Sequence, residues 1–259
     1  MRLALNIEYK GTSYYGWQLQ KTHKEKTLQY HVDKAISKVA DEKIITVCAG
    51  RTDTGVHATG QVVHFNTEKK RLDLNWIRGI NSFLPNDIYV NAIYHVDKKF
   101  HARYSALSRT YRYIIFNNEY ASPILRDYSL HFQEVLDLEK IKKSFLYLKG
   151  EHDFTSFQGA GCSSKNPVKE ITKINLKKSS KLIYIDITSN SFLYHMVRNI
   201  IGTLLDIGIG KYSPSSLKKL IQLKDRKYAG KMVSASGLYL MKVNYPKIHM
   251  IDYKTSTFF

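Results

Sequence analysis

The chain has 259 residues, 43% of them hydrophobic, which excludes a disordered tail and allows one large domain or two small ones. No run approaches the ~18 consecutive apolar residues of a membrane span, and two cysteines, Cys48 and Cys162, cannot supply a zinc site. Lys plus Arg number 40 against 22 Asp plus Glu, and the resulting net charge of +18 suits a polyanionic partner.

The opening "MRLALNIEYKG" reads directly as a strand, with no secretory leader. The mature chain is therefore expected to begin here, in the cytoplasm, with reduced thiols. In chain order the first half predicts strand 2–9, helix 27–40, strand 44–49, strand 60–66, helix 74–84 and strand 88–96. The second half predicts strand 110–116, helix 138–148, strand 168–176, strand 182–188, helix 194–207 and strand 237–243. Leu138, Ile141, Phe145 and Leu148 follow helical spacing, while Ile183, Ile185 and Ile187 alternate with Tyr184, Asp186 and Thr188 as in a half-buried strand. "MVRNIIGTLLDIGIG" is apolar nearly all round, which predicts a central, buried helix. Ser213 and Pro214 open a further short helix, 215–223, with a capped N-terminus expected.

Both halves, 1–104 and 105–259, thus share the order β-α-β-β-α-β. The expected fold is α+β, with two ferredoxin-like halves. RNA-recognition modules share that order and stack bases on sheet aromatics, and "RTYRYIIFN" places aromatics on a first strand. Their signature K/R-G-F/Y-G/A-F-V-x-F/Y is absent from the sequence.

Between the second and third predicted strands runs "AGRTDTGVHATGQVVHF", Ala49 to Phe65. An Asp in a Gly/Thr loop usually closes an Asx turn or caps a helix. Here Arg51 precedes Asp53 by two residues, Gly50 and Gly55 expose backbone, and an apolar strand follows. A carboxylate held at a sheet end beside an arginine stays ionised and can serve as nucleophile or base. His57, His64 and His101 follow no metal-ligand spacing, so packing or hydrogen-bonding roles are expected of them. Tyr111 lies on an alternating aromatic strand, where cross-strand packing is the plain expectation. Arg198 lies in the most apolar helix. If buried it requires an anion, and its alternatives are bonding to backbone carbonyls or snorkelling to the surface.

The Ala49–Phe65 stretch resembles the catalytic motif of the tRNA pseudouridine synthase A family, A-G-R-T-D-x-G-V-H-A-x-G-Q-V, and matches it throughout. "YKGTSYYGWQLQ", "FHARYSALSRTYRYIIFN", "GEHDFTSF", "FLYHMVRNIIGTLLDIG" and "GLYLMKVNY" resemble further family blocks, in family order. The resemblance spans Ile7 to about Tyr245. It implies two ferredoxin-like halves around a central, mainly antiparallel sheet with a cleft between them. By the same resemblance Asp53 is the catalytic aspartate and Arg51 holds the target base out of the stack. Tyr111 packs on that base, and Arg198 pairs with the aspartate. A homodimer is implied, acting on tRNA without cofactor or metal and isomerising uridines 38, 39 and 40 of the anticodon arm. The chain departs from the family pattern at Ser191, Ser234 and Tyr30, and at Lys169, which replaces an arginine and so loses a bidentate fork. The rival readings are a non-catalytic RNA-binding protein or chaperone on the same fold, and a hydrolase using Asp53 as base.

Overall fold

The computed structural model describes residues 1–253; residues 254–259, the end of the "HMIDYKTSTFF" tail, lie outside the described residues. The chain divides into two compact units, Met1–Arg109 together with the segment from Tyr239, and Thr110–Leu238.

The first unit contains β1 (Arg2–Tyr9), α1 (Leu28–Ala40), β2 (Val47–Cys48), β3 (His57–Asn66), α2 (Asp73–Phe83) and β4 (Ile88–Val96). Its strands lie in the order β4-β1-β3, with β2 beside β3. β1 is antiparallel to both neighbours, Leu5 facing Val63 on one side and Ile93 on the other. As the middle strand it is buried from Leu3 to Ile7, Asn6 included. α1 buries Leu28, Val32, Ala35, Ile36 and Val39, and α2 buries Trp76 and Ile80, the apolar stripes their spacing predicts.

The predicted strand 44–49 shortens to Val47–Cys48 because helix side chains take its backbone. Ser37 Oγ accepts from Ile44 N–H at 2.9 Å and Asp33 Oδ1 from Thr46 N–H at 3.0 Å, while Gln29 Nε2 donates to Thr46 O at 3.1 Å. β3 begins three residues before the predicted strand 60–66. At its start His57 and Ala58 pair in parallel with Tyr239 and Leu240 of the strand Leu238–Asn244. The tail adds Tyr253, whose buried hydroxyl donates to Gly60 O at 2.9 Å and accepts from Val243 N–H at 2.9 Å.

The second unit holds β5 (Ser108–Asn117) from Thr110 on, β6 (Leu130–Phe132), α3 (Leu138–Leu148), β7 (Gly150–Asp153), β8 (Val168–Ser179), β9 (Leu182–Ser189), α4 (Met196–Gly208) and α5 (Ser216–Leu223). Its strand order is β5-β9-β8-β7, with β6 parallel to β5. β8 is antiparallel to β7 and to β9. Thr110 meets Thr188, and Arg112 grips Asp186 through two bonds of 2.7 and 2.8 Å, so β5 and β9 also run antiparallel. β6 and β7 were not legible because three or four half-buried residues carry no period. α4 is the buried helix its composition predicts. It begins at Met196, two residues late, because His195 adopts a left-handed φ of 60°. Asp137 caps α3 by accepting from Lys140 N–H at 3.0 Å. The expected cap of α5 does not form: Ser215 makes no capping bond, and the Ser213 hydroxyl lies against the hydroxyls of Ser215 and Ser216. The fold is α+β, with antiparallel pairing dominant in each unit.

Candidate active site

Arg51, Thr52 and Asp53 lie in the first unit, in the loop from β2 to β3. Other segments fix the loop backbone. Trp17 N–H donates to Thr52 O at 3.0 Å, Gly55 N–H to Tyr14 O at 3.3 Å, and Ala49 N–H to Val62 O at 2.8 Å. The backbone carbonyl of Asp53 accepts from Val56 N–H at 3.1 Å, closing a turn through Gly55. Gly16 has φ +87, and a Cβ there would lie 2.6 Å from Thr52 O, so only glycine lets the "YYGW" segment reach the loop.

Buried side chains complete the support. The Thr52 hydroxyl lies 2.8 Å from the Tyr9 hydroxyl, and Gln61 Nε2 donates to Gly50 O at 2.7 Å. Arg109, which carries no motif signal in the sequence, is buried and donates Nη2 to Ala49 O at 3.0 Å and to Arg103 O at 2.5 Å. Thr52 is turned inward, while Arg51 is exposed and Asp53 half-buried.

The other titratable groups of the loop region are occupied elsewhere. Burial pushes the Cys48 thiol up to about 11, against the pull of Arg51 and Arg103, so it stays protonated near neutral pH and is no nucleophile. His57 Nδ1 accepts from Gly11 N–H at 3.2 Å, and its ring stacks on Tyr239 at 4.7 Å. His64 Nδ1 accepts from Ala102 N–H at 3.1 Å. Burial, helped by Arg2 and His101, lowers His64 to about 4 and keeps it neutral. Both histidines thus hold structure, and no three His, Cys, Asp or Glu side chains gather as a metal set among the described residues.

Tyr111 and Arg198 lie in the second unit. Tyr111, on β5, meets Phe192 edge-on at 5.1 Å. Tyr113, two residues on and so on the same strand face, donates its hydroxyl to Ser234 O at 2.7 Å. Burial raises the Tyr113 hydroxyl beyond its ordinary range, and the Arg198 charge pulls it the other way. Arg198 Nε donates to Val233 O at 2.8 Å. Tyr113 and Arg198 therefore grip consecutive carbonyls, and Tyr111 follows on the face of β5 that carries Tyr113. The apolar surroundings of Arg198 predict a desolvated charge, but the residue is half-buried and spends Nε on a carbonyl. The segment supplying that carbonyl runs against α4, where a Cβ on Gly202 would lie 1.9 Å from Lys231 O.

Further contacts fix the start of α4. Tyr194 and His195 stack at 3.6 Å. Asn199 donates to Phe157 O at 2.7 Å and accepts from Arg226 Nη2 at 2.9 Å. Lys169 is buried, bonds the carbonyls of Asn166 and Val168, and is lowered by that burial. Ser191 sits in a turn, its N–H donating to Asn190 Oδ1 at 2.7 Å and its carbonyl accepting from Ser189 Oγ at 2.7 Å.

A half-buried carboxylate two residues from an exposed arginine, on a loop tied down by other segments in a chain of charge +18, is compatible with an enzyme acting on a polyanion. Comparison with known proteins gives the particular kind. Residues 6–105 and 145–246 match the sequence model of the family described as tRNA pseudouridine synthase. The tRNA pseudouridine synthase A of Buchnera aphidicola subsp. Schizaphis graminum is 48% identical over 245 residues, 95% of this chain and 92% of that protein. That of Shewanella piezotolerans is 47% identical over 247 residues, 95% and 94% of the two chains. That of Klebsiella pneumoniae subsp. pneumoniae is 44% identical over 245 residues, 95% and 90%. The chain belongs to the tRNA pseudouridine synthase family, isomerases that convert uridine to pseudouridine in tRNA. No described helix is long and apolar enough to cross a membrane.

Proposed function

We propose that this chain isomerises uridines 38, 39 and 40 of the anticodon stem-loop, as a cytoplasmic homodimer, with Asp53 as the catalytic carboxylate. The observation that carries the reading is the strapped loop that leaves Asp53 half-buried beside exposed Arg51. The reaction breaks the N1–C1′ bond, rotates the base, forms C5–C1′ and moves the C5 proton to solvent while N1 gains one. Atoms and electrons balance, so side chains alone suffice. One ionised carboxylate serves each conceivable route: attack on the sugar, attack on the base, or removal of the C2′ proton to leave a glycal.

A uridine in a stacked arm must first leave the stack, at a cost of a few kcal/mol (on the order of). In this reading Arg51 holds the base out and Tyr111 packs on it. Arg198 pairs with Asp53, keeping it ionised and fixing its rotamer. The test is tritium release from tRNA labelled at C5 of uridine. Asp53→Asn is expected to fall below about one percent of the parent rate while tRNA affinity changes little, because phosphate contacts dominate binding. A clean preparation retaining more than that sinks the assignment of Asp53. A hydrolase would instead release free base or cleaved RNA.

A further inference from the structure

Tyr104 is 76% exposed, yet it is held in place from within its own turn. Its ring lies 4.3 Å from the ring of His101 at an interplanar angle of 30°, and the Arg103 guanidinium carbon lies 5.6 Å from its centroid. His101 Nδ1 accepts from both Arg103 N–H and Tyr104 N–H at 3.2 Å. His101 N–H donates to Ser105 Oγ at 3.0 Å, and Ser105 N–H returns a bond to His101 O at 2.8 Å. On its inner side the His101 ring rests against His64 at 4.9 Å. An aromatic side chain ordered in advance loses little entropy when something binds it.

The turn is also tied to the catalytic loop. The single guanidinium of Arg109 bonds both Arg103 O and Ala49 O, two residues before Arg51. Arg103, in the turn, and Arg51, in the loop, are both exposed. Lys98 and Lys99, on the same segment, are exposed as well.

We propose that Arg103 and Tyr104 form a stacking platform for an unpaired nucleotide of the substrate RNA next to the catalytic loop, Tyr104 taking the base and Arg103 the adjoining phosphate. The proposal rests on the RNA-modifying reading above and adds a binding site to it. Charge decides the occupant: the Arg103 guanidinium lies over the ring, and Lys98, Lys99 and Arg51 are exposed cations of the same unit, in a chain of charge +18, which suits a polyanion and repels a second copy of the same surface.

The test measures binding alone, in the full-length Asp53→Asn protein at fixed salt, so that bound RNA is not converted. The ligands are an anticodon-arm hairpin and a blunt RNA duplex without unpaired bases. Tyr104→Ala is expected to weaken hairpin binding about tenfold, the scale of one lost base–aromatic stack, and to leave duplex binding unmoved. Tyr104→Phe keeps the ring and is expected to retain hairpin affinity. Tyr104→Trp places a fluorophore on the surface, against the two buried native tryptophans Trp17 and Trp76, and its emission should quench when oligouridine binds. Unchanged hairpin affinity in Tyr104→Ala overturns the platform, as does an equal loss on hairpin and duplex. Dissociation of the parent dimer by Tyr104→Ala, without loss of hairpin affinity, would assign the ring to protein contact instead. The binding comparison reads the platform whatever the turnover assay gives for Asp53.

Discussion

Thr52 is buried against the Tyr9 hydroxyl, between exposed Arg51 and half-buried Asp53. Thr52→Val keeps the volume and drops the hydroxyl. It is expected to cost about 1 kcal/mol of stability and to lower turnover more than tRNA affinity, because it loosens the presentation of Asp53 and not a phosphate contact. Equal losses in both would show the loop to be a binding element only. The proposed partnership of Arg198 and Asp53 has its own signature. Arg198→Lys keeps the charge and loses the planar fork, so turnover should fall far more than affinity. Arg198→Met leaves Asp53 without that cation, so the carboxylate should titrate higher and the acidic limb of the pH–rate profile should move up. Asp53→Asn added to Arg198→Met should cost little further turnover, since groups acting as one unit are not additive. An unmoved acidic limb and an unchanged rate would make Arg198 a clamp on Val233 and nothing more.

At the scale of elements, α1 does more than cover the first sheet. Through Ser37, Asp33 and Gln29 it holds the backbone leading into β2, and β2 leads into the loop that carries Arg51 and Asp53. Asp33 carries a cost in this role. Burial raises its carboxyl to about 6, against the opposing bonds from Thr46 and Gln29. A carboxyl raised in the folded state binds its proton there more tightly than in the unfolded chain. Stability therefore falls as pH rises from the unfolded value, about 4, through the folded one. Asp33→Asn keeps an acceptor for Thr46 without the buried charge. It is expected to raise the melting temperature at pH 7 to 8 and to leave it nearly unchanged near pH 4. A gain of the same size at both pH values would mean that charge burial is not the cause. Glycine matters as much in α4, where a Cβ on Gly202 would meet Lys231 O at 1.9 Å. Gly202→Ala must push back the segment carrying Val233 and should loosen the Arg198 contact as well as the fold.

For the whole molecule, the net charge of +18 makes a claim about salt. If tRNA is held through ~6–10 phosphate contacts, affinity should drop on the order of a thousandfold or more between about 50 and about 200 mM salt, somewhat less where the RNA is single-stranded. A flat profile would mean that the excess charge serves solubility alone. The proposed homodimer is read by light scattering at working concentration. Full activity in a species near 30 kDa would overturn it.

The element order was legible in the sequence, because apolar periods of two and 3.6 survive without any knowledge of partners. β1 and β4 fall on their predicted residues, and α3 spans Leu138–Leu148 as its Leu and Ile spacing requires. That Arg51 and Asp53 lie in a loop ahead of an apolar strand was legible too, since Gly and Thr break the strand period and "GQVVHF" resumes it. The shortening of β2 was not, because Asp33 and Ser37 reach Thr46 and Ile44 only once α1 lies across the chain. Nor was the service of Arg109 to Ala49 and Arg103, sixty and six residues away, or of Arg198 to Val233. Side-chain chemistry and local period are properties of the chain and can be read along it. Which carbonyl an arginine bonds, and which tyrosine is left standing in solvent, depend on segments distant in sequence meeting in space, and only the tertiary structure decides them.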